Sequence, residues 1–149
     1  VLGHSVGEVA AAQVAGLLSP AGAARLVAQR SRHQGPTRGR GRMAALGAPE
    51  NEAAPLLAEL GLELAAVNGP AALTVAGPAD ALERLAAEAK ARRWSLVALD
   101  LDYAFHSALM DPVRDGLLAA LRGLRSQAPR IPMLSSVTGG ELERAPAAY

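Results

Sequence analysis

Apolar positions along this chain recur with two different periods, and the change from one to the other divides it. Glu8 to Leu17 carries a helical pattern that stops near Gly16 and Ser19-Pro20. Ser19 then reads as an N-cap with Pro20 at the first helical position, opening a second helix to about Arg32. Gly, Pro and Arg in quick succession make Gln34 to Arg42 a loop. From Met43 the period shortens. Met43–Leu46 predicts a short strand, Asn51–Leu60 a helix, and Leu62–Val67 and Leu73–Ala76 two strands joined across Asn68-Gly69-Pro70. Ala79–Arg93 predicts a helix with Leu82, Leu85, Ala86 and Ala89 on one face, and Ser95–Leu101 a closing strand. Farther on, Asp111 to Arg125 predicts an amphipathic helix with Val113, Leu117, Leu121 and Leu124 inward, and Pro132–Val137 a further strand. Glu143 to Tyr149 ends in loop.

The order βαββαβ over 43–101 is that of the ferredoxin-like split unit. Here it is inserted between 1–42 and 102–149, which supply parts of a larger α/β layer. A chain of 149 residues, half of them apolar, is long enough to form one ordinary core. The net charge of +1 gives no reason to expect nucleic acid or an anionic membrane as partner. Zero cysteines exclude a disulfide framework and thiolate metal sites, and suit a cytoplasmic protein. No apolar stretch is long enough to span a bilayer, and no signal peptide precedes the first helix. With no initiator methionine and only Val1-Leu2 before the first turn, the chain reads as a piece truncated at both ends and inactive in isolation.

The candidate chemistry begins at Gly3-His4-Ser5-Val6-Gly7, a Gly-x-Ser-x-Gly box between Val1-Leu2 and the first helix. A serine on a strand-to-helix corner holds its hydroxyl clear of the backbone, with the following amide aimed at a developing oxyanion. Both glycines are expected to be needed, because a side chain at either would crowd the turn. The five-residue pattern alone is unspecific and requires a base and a substrate clamp. Three histidines exist. His4, adjacent to Ser5, points to the opposite face and is assigned a local hydrogen-bonding role. His33 ends the second helix as a solvated residue. His106, in Asp102-Tyr103-Ala104-Phe105-His106-Ser107 just beyond the last strand of the insert, is either a base or a satisfied loop histidine.

The clamp candidate is Arg30. Ala23, Leu26, Val27 and Arg30 share a helical face, so the guanidinium is directed inward, toward either a bound anion or a structural carboxylate, or snorkels at the helix end. Arg38, Arg40 and Arg42 read as a solvated basic loop. Asp100 and Asp102 share a strand face near His106, and one of them could orient its imidazole. No His, Asp or Glu cluster has metal-ligand spacing, so no metal is expected.

Taken together, Gly3-His4-Ser5-Val6-Gly7-Glu8, Gln29-Arg30-Ser31-Arg32, the split unit, Tyr103-Ala104-Phe105-His106-Ser107 and Pro132-Met133-Leu134-Ser135-Ser136-Val137-Thr138-Gly139 resemble one family over the whole chain. It is that of the malonyl-CoA:acyl-carrier-protein transacylases, specifically the acyltransferase domains of modular polyketide synthases. The resemblance implies an α/β-hydrolase-like large subdomain carrying a ferredoxin-like small one. It implies Ser5 as nucleophile, His106 as base and Arg30 as the grip on the malonyl carboxylate, with His4, Val6, Tyr103 and Phe105 lining the substrate site. Malonyl-CoA would be the donor and the phosphopantetheine thiol of an acyl carrier protein the acceptor, with neighbouring synthase domains as further partners and no permanently bound cofactor. In the family, Phe beside the base and an apolar residue after the nucleophile accompany malonyl. A Tyr at the head of that segment accompanies methylmalonyl, so a malonyl preference with leaky exclusion is expected. The family's upstream oxyanion-hole glutamine is not in this chain, and Ala108 stands where proline is common. Two rival readings are an α/β-hydrolase-type esterase or thioesterase, which lacks the inward arginine and the insert, and a non-catalytic remnant serving as scaffold.

Overall fold

A computed structural model describes residues 1–142; the loop expected over 143–149 lies outside the described residues. The chain forms a mixed α/β fold. Its elements are α1 (Gly7–Ala15), α2 (Pro20–Gln34), β1 (Arg42–Gly47), α3 (Glu50–Leu60), β2 (Glu63–Gly69), β3 (Ala72–Gly77), α4 (Ala79–Arg92), β4 (Ser95–Ala98) and α5 (Arg114–Ala120). Short 3-10 helices occupy Gly35–Thr37 and Ala108–Val113. Two compact units result, one of Gln34–Arg114 and one of Val1–His33 with the chain from Asp115 on.

In the Gln34–Arg114 unit the four strands form one antiparallel sheet in the order β2-β3-β1-β4. The central strand β1 pairs Ala44 with Val75 on one side and with Ala98 on the other. Alternation along the strands sends Ala44, Leu46, Leu73 and Val75 to one face, where they meet Ala53, Leu56 and Leu57 of α3 and Ala81, Leu82, Leu85 and Ala89 of α4. Ala86 is exposed and Ala81 takes the place expected for it. Burying a leucine such as Leu85 completely contributes roughly 1.5–3 kcal/mol, so this face dominates the unit's stability. Helix α3 stops at Gly61, whose left-handed φ of 70° lets the amides of Gly61 and Leu62 turn back onto the last helical carbonyls.

The opposite face carries Met43 and Ala76, covered by Ala104 with Leu99, Leu101, Phe105 and Leu109 packed around them. Strand β4 is therefore shorter than Ser95–Leu101. Leu99 N–H still donates to Met43 C=O, but Leu101 N–H turns back to Leu99 C=O and the chain leaves the ladder. The loop over 34–42 lies against the same segment: Gly39 N–H donates to Asp102 C=O, and Thr37 contacts Met110.

In the other unit, Ala11, Ala12, Ala15, Leu17, Leu18 and Met133 form the core, with Ala23 and Leu26 of α2 and Leu124 against it. Ser19 Oγ accepts from Gly22 N–H at 3.0 Å, the side-chain cap its position promised. Two expectations fail in the chain beyond Ser107. The helix expected over 111–125 is a 3-10 helix with Pro112 inside it, followed by a short α5, because proline withdraws an amide donor from the α ladder. Val113 and Leu121 are nevertheless buried, as the spacing required. The strand expected over 132–137 is reduced to bridges, Leu134 with Leu2 in parallel and with Glu141 antiparallel. Ser135 ends it: its buried Oγ accepts from the amides of Val137 and Thr138 and curls the chain away.

Candidate active site

The serine corner is built by the backbone of residues 3–9. Gly7, Glu8 and Val9 donate to the carbonyls of His4, Ser5 and Val6 at 2.9, 3.0 and 3.1 Å, winding the chain into α1. Ser5 itself has φ of 53°. A left-handed conformation costs a non-glycine residue roughly 1–2 kcal/mol, and such residues concentrate at functional sites. Among the described residues only Ser5, Arg93 and His106 share that property, and Arg93 is the C-cap of α4. The two remaining are the candidate nucleophile and base. The Val6 N–H, which opens α1, takes no acceptor among the described residues and is available to an oxyanion.

The two glycines of the box are not equivalent. A Cβ on Gly3 would fall onto the Gly7 carbonyl and the Glu8 amide, whereas one on Gly7 meets nothing within 4 Å. Gly3 is thus required by close backbone approach, and the expectation that Gly7 is equally constrained is corrected. In the intact protein Gly3→Ala is expected to cost about 1–3 kcal/mol, as overpacking against rigid backbone does. Gly7→Ala, inside a helix, should be neutral or slightly stabilising. Equal losses of denaturation midpoint in both variants would contradict this. Glu8 fixes the corner from the side: its Oε1 accepts from Ser136 N–H at 2.8 Å and Ser136 Oγ–H at 2.9 Å, a role with no signal in the sequence pattern.

His4 is exposed, and its imidazole finds no hydrogen-bond partner among the described residues, so the local bonding expected for it is not seen. Val6 is likewise exposed, by 48%. On α2 the half-buried positions include Ala23, Leu26, Gln29 and Arg30, while Val27 points outward, contrary to its expected place on the inner face. Burial lowers the Arg30 pKa from its ordinary value, which means the guanidinium has lost water. Among the described residues no carboxylate pairs with it. His33 is not a solvated helix end. It is half-buried close to Gly116, where an added Cβ would lie 2.8 Å from its Nδ1.

In the Gln34–Arg114 unit, the rings of Tyr103 and Phe105 stack at 4.9 Å between centroids and 10° between planes. Phe105 also packs on the apolar cluster beneath the sheet. His106 follows, exposed and with φ of 60°. Ser107 is buried, and its Oγ–H donates to Ala104 C=O at 2.7 Å, closing the turn that carries the imidazole. Asp102 is engaged elsewhere: Arg42 lies 2.8 Å from Oδ1 and Arg38 3.3 Å from Oδ2. Two of the three loop arginines are therefore bonded rather than merely solvated. No group of His, Asp and Glu among the described residues could hold a metal ion, and no helix among them is long and apolar enough to cross a membrane.

Comparison with known proteins agrees with the whole-chain pattern. The family model for the acyl transferase domain matches residues 1–147. The chain is 44% identical over 146 residues to the spectinabilin polyketide synthase system protein NorC of Streptomyces orinoci, covering 96% of this chain and 6% of that protein. It is 42% identical to the mycoketide-CoA synthase of Mycobacterium tuberculosis, over 93% of this chain and 3% of that one. Among solved structures, the acyltransferase domain from module 8 of the salinomycin polyketide synthase superposes with a TM-score of 0.93 at 34% identity, over 96% of this chain and 34% of that one. FabD from Acinetobacter baumannii gives 0.88 at 28% identity, over 95% and 48%.

Proposed function

Because the chain belongs to the acyl transferase domain family, we propose that it moves a malonyl extender group from CoA, through an ester on Ser5, to the phosphopantetheine thiol of an acyl carrier protein in a polyketide synthase. The observation that carries this reading is the left-handed Ser5 at the opening of α1, a strained elbow with an adjacent unbonded amide. His106 takes the Ser5 proton as Oγ attacks the thioester carbonyl carbon, and the Val6 N–H donates to the negative charge that forms on the carbonyl oxygen. Collapse breaks the carbon–sulfur bond, and the CoA sulfur leaves with the proton from His106. The carrier thiol then reverses the sequence: it gives its proton to His106, attacks the ester, and Ser5 Oγ recovers the proton as it departs. Incubation of the intact protein with malonyl-CoA should give a malonyl adduct by intact mass. An adduct mapping to any residue but Ser5 would overturn the assignment.

The antiparallel order β2-β3-β1-β4 supports a ferredoxin-like small subdomain over 43–101. In this reading 1–42 and 102–149 belong to an α/β-hydrolase-like large subdomain, with 34–42 and 102–114 as connecting arms. The chain spans 34% of the solved module 8 chain and 6% of the spectinabilin synthase protein NorC.

Phe105 supports the malonyl preference. Stacked on Tyr103 and seated on the apolar cluster, its ring is held as a rigid wall beside His106. A wall in the space an α-methyl needs disfavours methylmalonyl by roughly 1–3 kcal/mol, or about 10–200-fold. Phe105→Ser should therefore raise methylmalonyl loading relative to malonyl when the two CoA esters compete. A wild-type protein that loads mostly methylmalonyl would refute the assignment.

A further inference from the structure

The turn that carries His106 is tied to the sheet by one side chain from another strand. Glu63, the first residue of β2, pairs with Ala76 in the ladder, and its Oε1 accepts from Ala108 N–H at 2.8 Å. Ala108 is the first residue of the 3-10 helix that follows the histidine. The amide at such a position has no partner within its own helix. Ser107, the N-cap, makes no side-chain cap bond, its hydroxyl donating instead to Ala104 C=O, and an N-cap side chain serves the second and third amides of a helix rather than the first. Glu63 fills the vacancy from the first position of the edge strand β2, and the amide it holds follows by two residues a histidine in a left-handed conformation.

We infer that Glu63 is a positioning residue for His106, acting through the Ala108 amide; this rests on His106 being the base. The contact replaces what a proline ring would do at this position. Ser107 has φ of −137° and ψ of 167°, the extended conformation that precedes proline, and the first position of a helix is where proline is best tolerated. A proline at 108 would fix the helix start with no amide to satisfy, whereas alanine leaves an amide that the Glu63 carboxylate holds in place.

The test uses the intact protein and four variants. Glu63→Ala should lower kcat for malonyl transfer about 3–10-fold, as loss of one charge-assisted hydrogen bond does, with KM for malonyl-CoA within about two-fold of wild type. Glu63→Gln, which keeps an oxygen acceptor, should retain most of the rate. Adding Ala108→Pro to Glu63→Ala should restore kcat to within about two-fold of wild type, since the ring removes the orphan amide and pre-sets φ. By hydrogen exchange, the Ala108 amide should exchange several-fold faster in Glu63→Ala than in wild type. An unchanged kcat in Glu63→Ala, or a double variant no better than Glu63→Ala, overturns the positioning role. His106→Ala, measured alongside, separates the two claims. Activity persisting there overturns the base assignment, while the exchange of Ala108 still reports on the Glu63 contact.

Discussion

Replacing Ser5 by alanine in the intact protein should abolish the acyl-enzyme, and His106→Ala should slow its formation by about three or more orders of magnitude. The two losses have different origins. Without Ser5 there is no oxygen to carry the ester, so no amount of binding energy rescues the covalent route. Without His106 the hydroxyl remains, but its proton has nowhere to go as the carbon–oxygen bond forms, and removal of a triad-type base leaves only the residual catalysis of binding and oxyanion stabilisation. The double variant should be no slower than Ser5→Ala alone, because groups that act as a unit are not additive. Single-turnover mass spectrometry distinguishes these outcomes. A malonyl adduct on the Ser5→Ala protein, or a His106→Ala protein loading at the wild-type rate, would dismantle the mechanism.

Arg30→Ala should change which acyl group is accepted more than whether chemistry occurs. Its guanidinium is half-buried on α2, has its pKa lowered by burial, and meets no carboxylate among the described residues. A cation that gives up water without a protein anion suits a site completed by an anionic ligand. Removing it takes the partner from a malonyl carboxylate but nothing from an acetyl group. With about 1.5–3 kcal/mol for a charge-assisted contact, the malonyl-to-acetyl loading ratio should fall at least about 10-fold. Stability should hold or rise slightly, since a partly dehydrated charge with no carboxylate partner among the described residues leaves the fold. A structural ion pair predicts the reverse: an unchanged ratio and a lowered denaturation midpoint.

The parts of the fold that the sequence disclosed are those in which a period of two or of 3.6 runs unbroken against a core. Strands β1 to β3 and helices α3 and α4 lie within a residue or two of their expected places because each packs against the same cluster, β2 through the partly buried Leu64 alone. Legibility fails where side-chain hydrogen bonds override the period. Ser135 bends a run of apolar residues that alternation alone reads as a strand, and Pro112 divides a helical stripe without disturbing which residues are buried. At the candidate site, Ser5 and Arg30 are legible as candidates because a glycine box and a cation on a helix face with apolar neighbours are local signals. The left-handed turn at His106, the capture of Asp102 by Arg38 and Arg42, and the reach of Glu63 to Ala108 are not. The last two join residues far apart in the chain, and the first is the conformation of a single residue, so no period announces any of them.

The bonds from Arg38, Gly39 and Arg42 to Asp102 bind the strand of chain entering the four-stranded unit to the strand leaving it. Exposed ion pairs of this kind contribute only about 0–1 kcal/mol each, so their effect is geometric rather than energetic. For exchange of the four-stranded unit between related acyltransferases the consequence is concrete. A graft cut at 43 and 101 leaves all three arginine and glycine partners and Asp102 with the recipient, whose own loops were shaped around a different sheet. Seams set outside Gln34 and Arg114 carry the clasp, the Tyr103–Phe105 stack and the Glu63–Ala108 tie together, so a specificity transplanted that way travels with the scaffold that holds it.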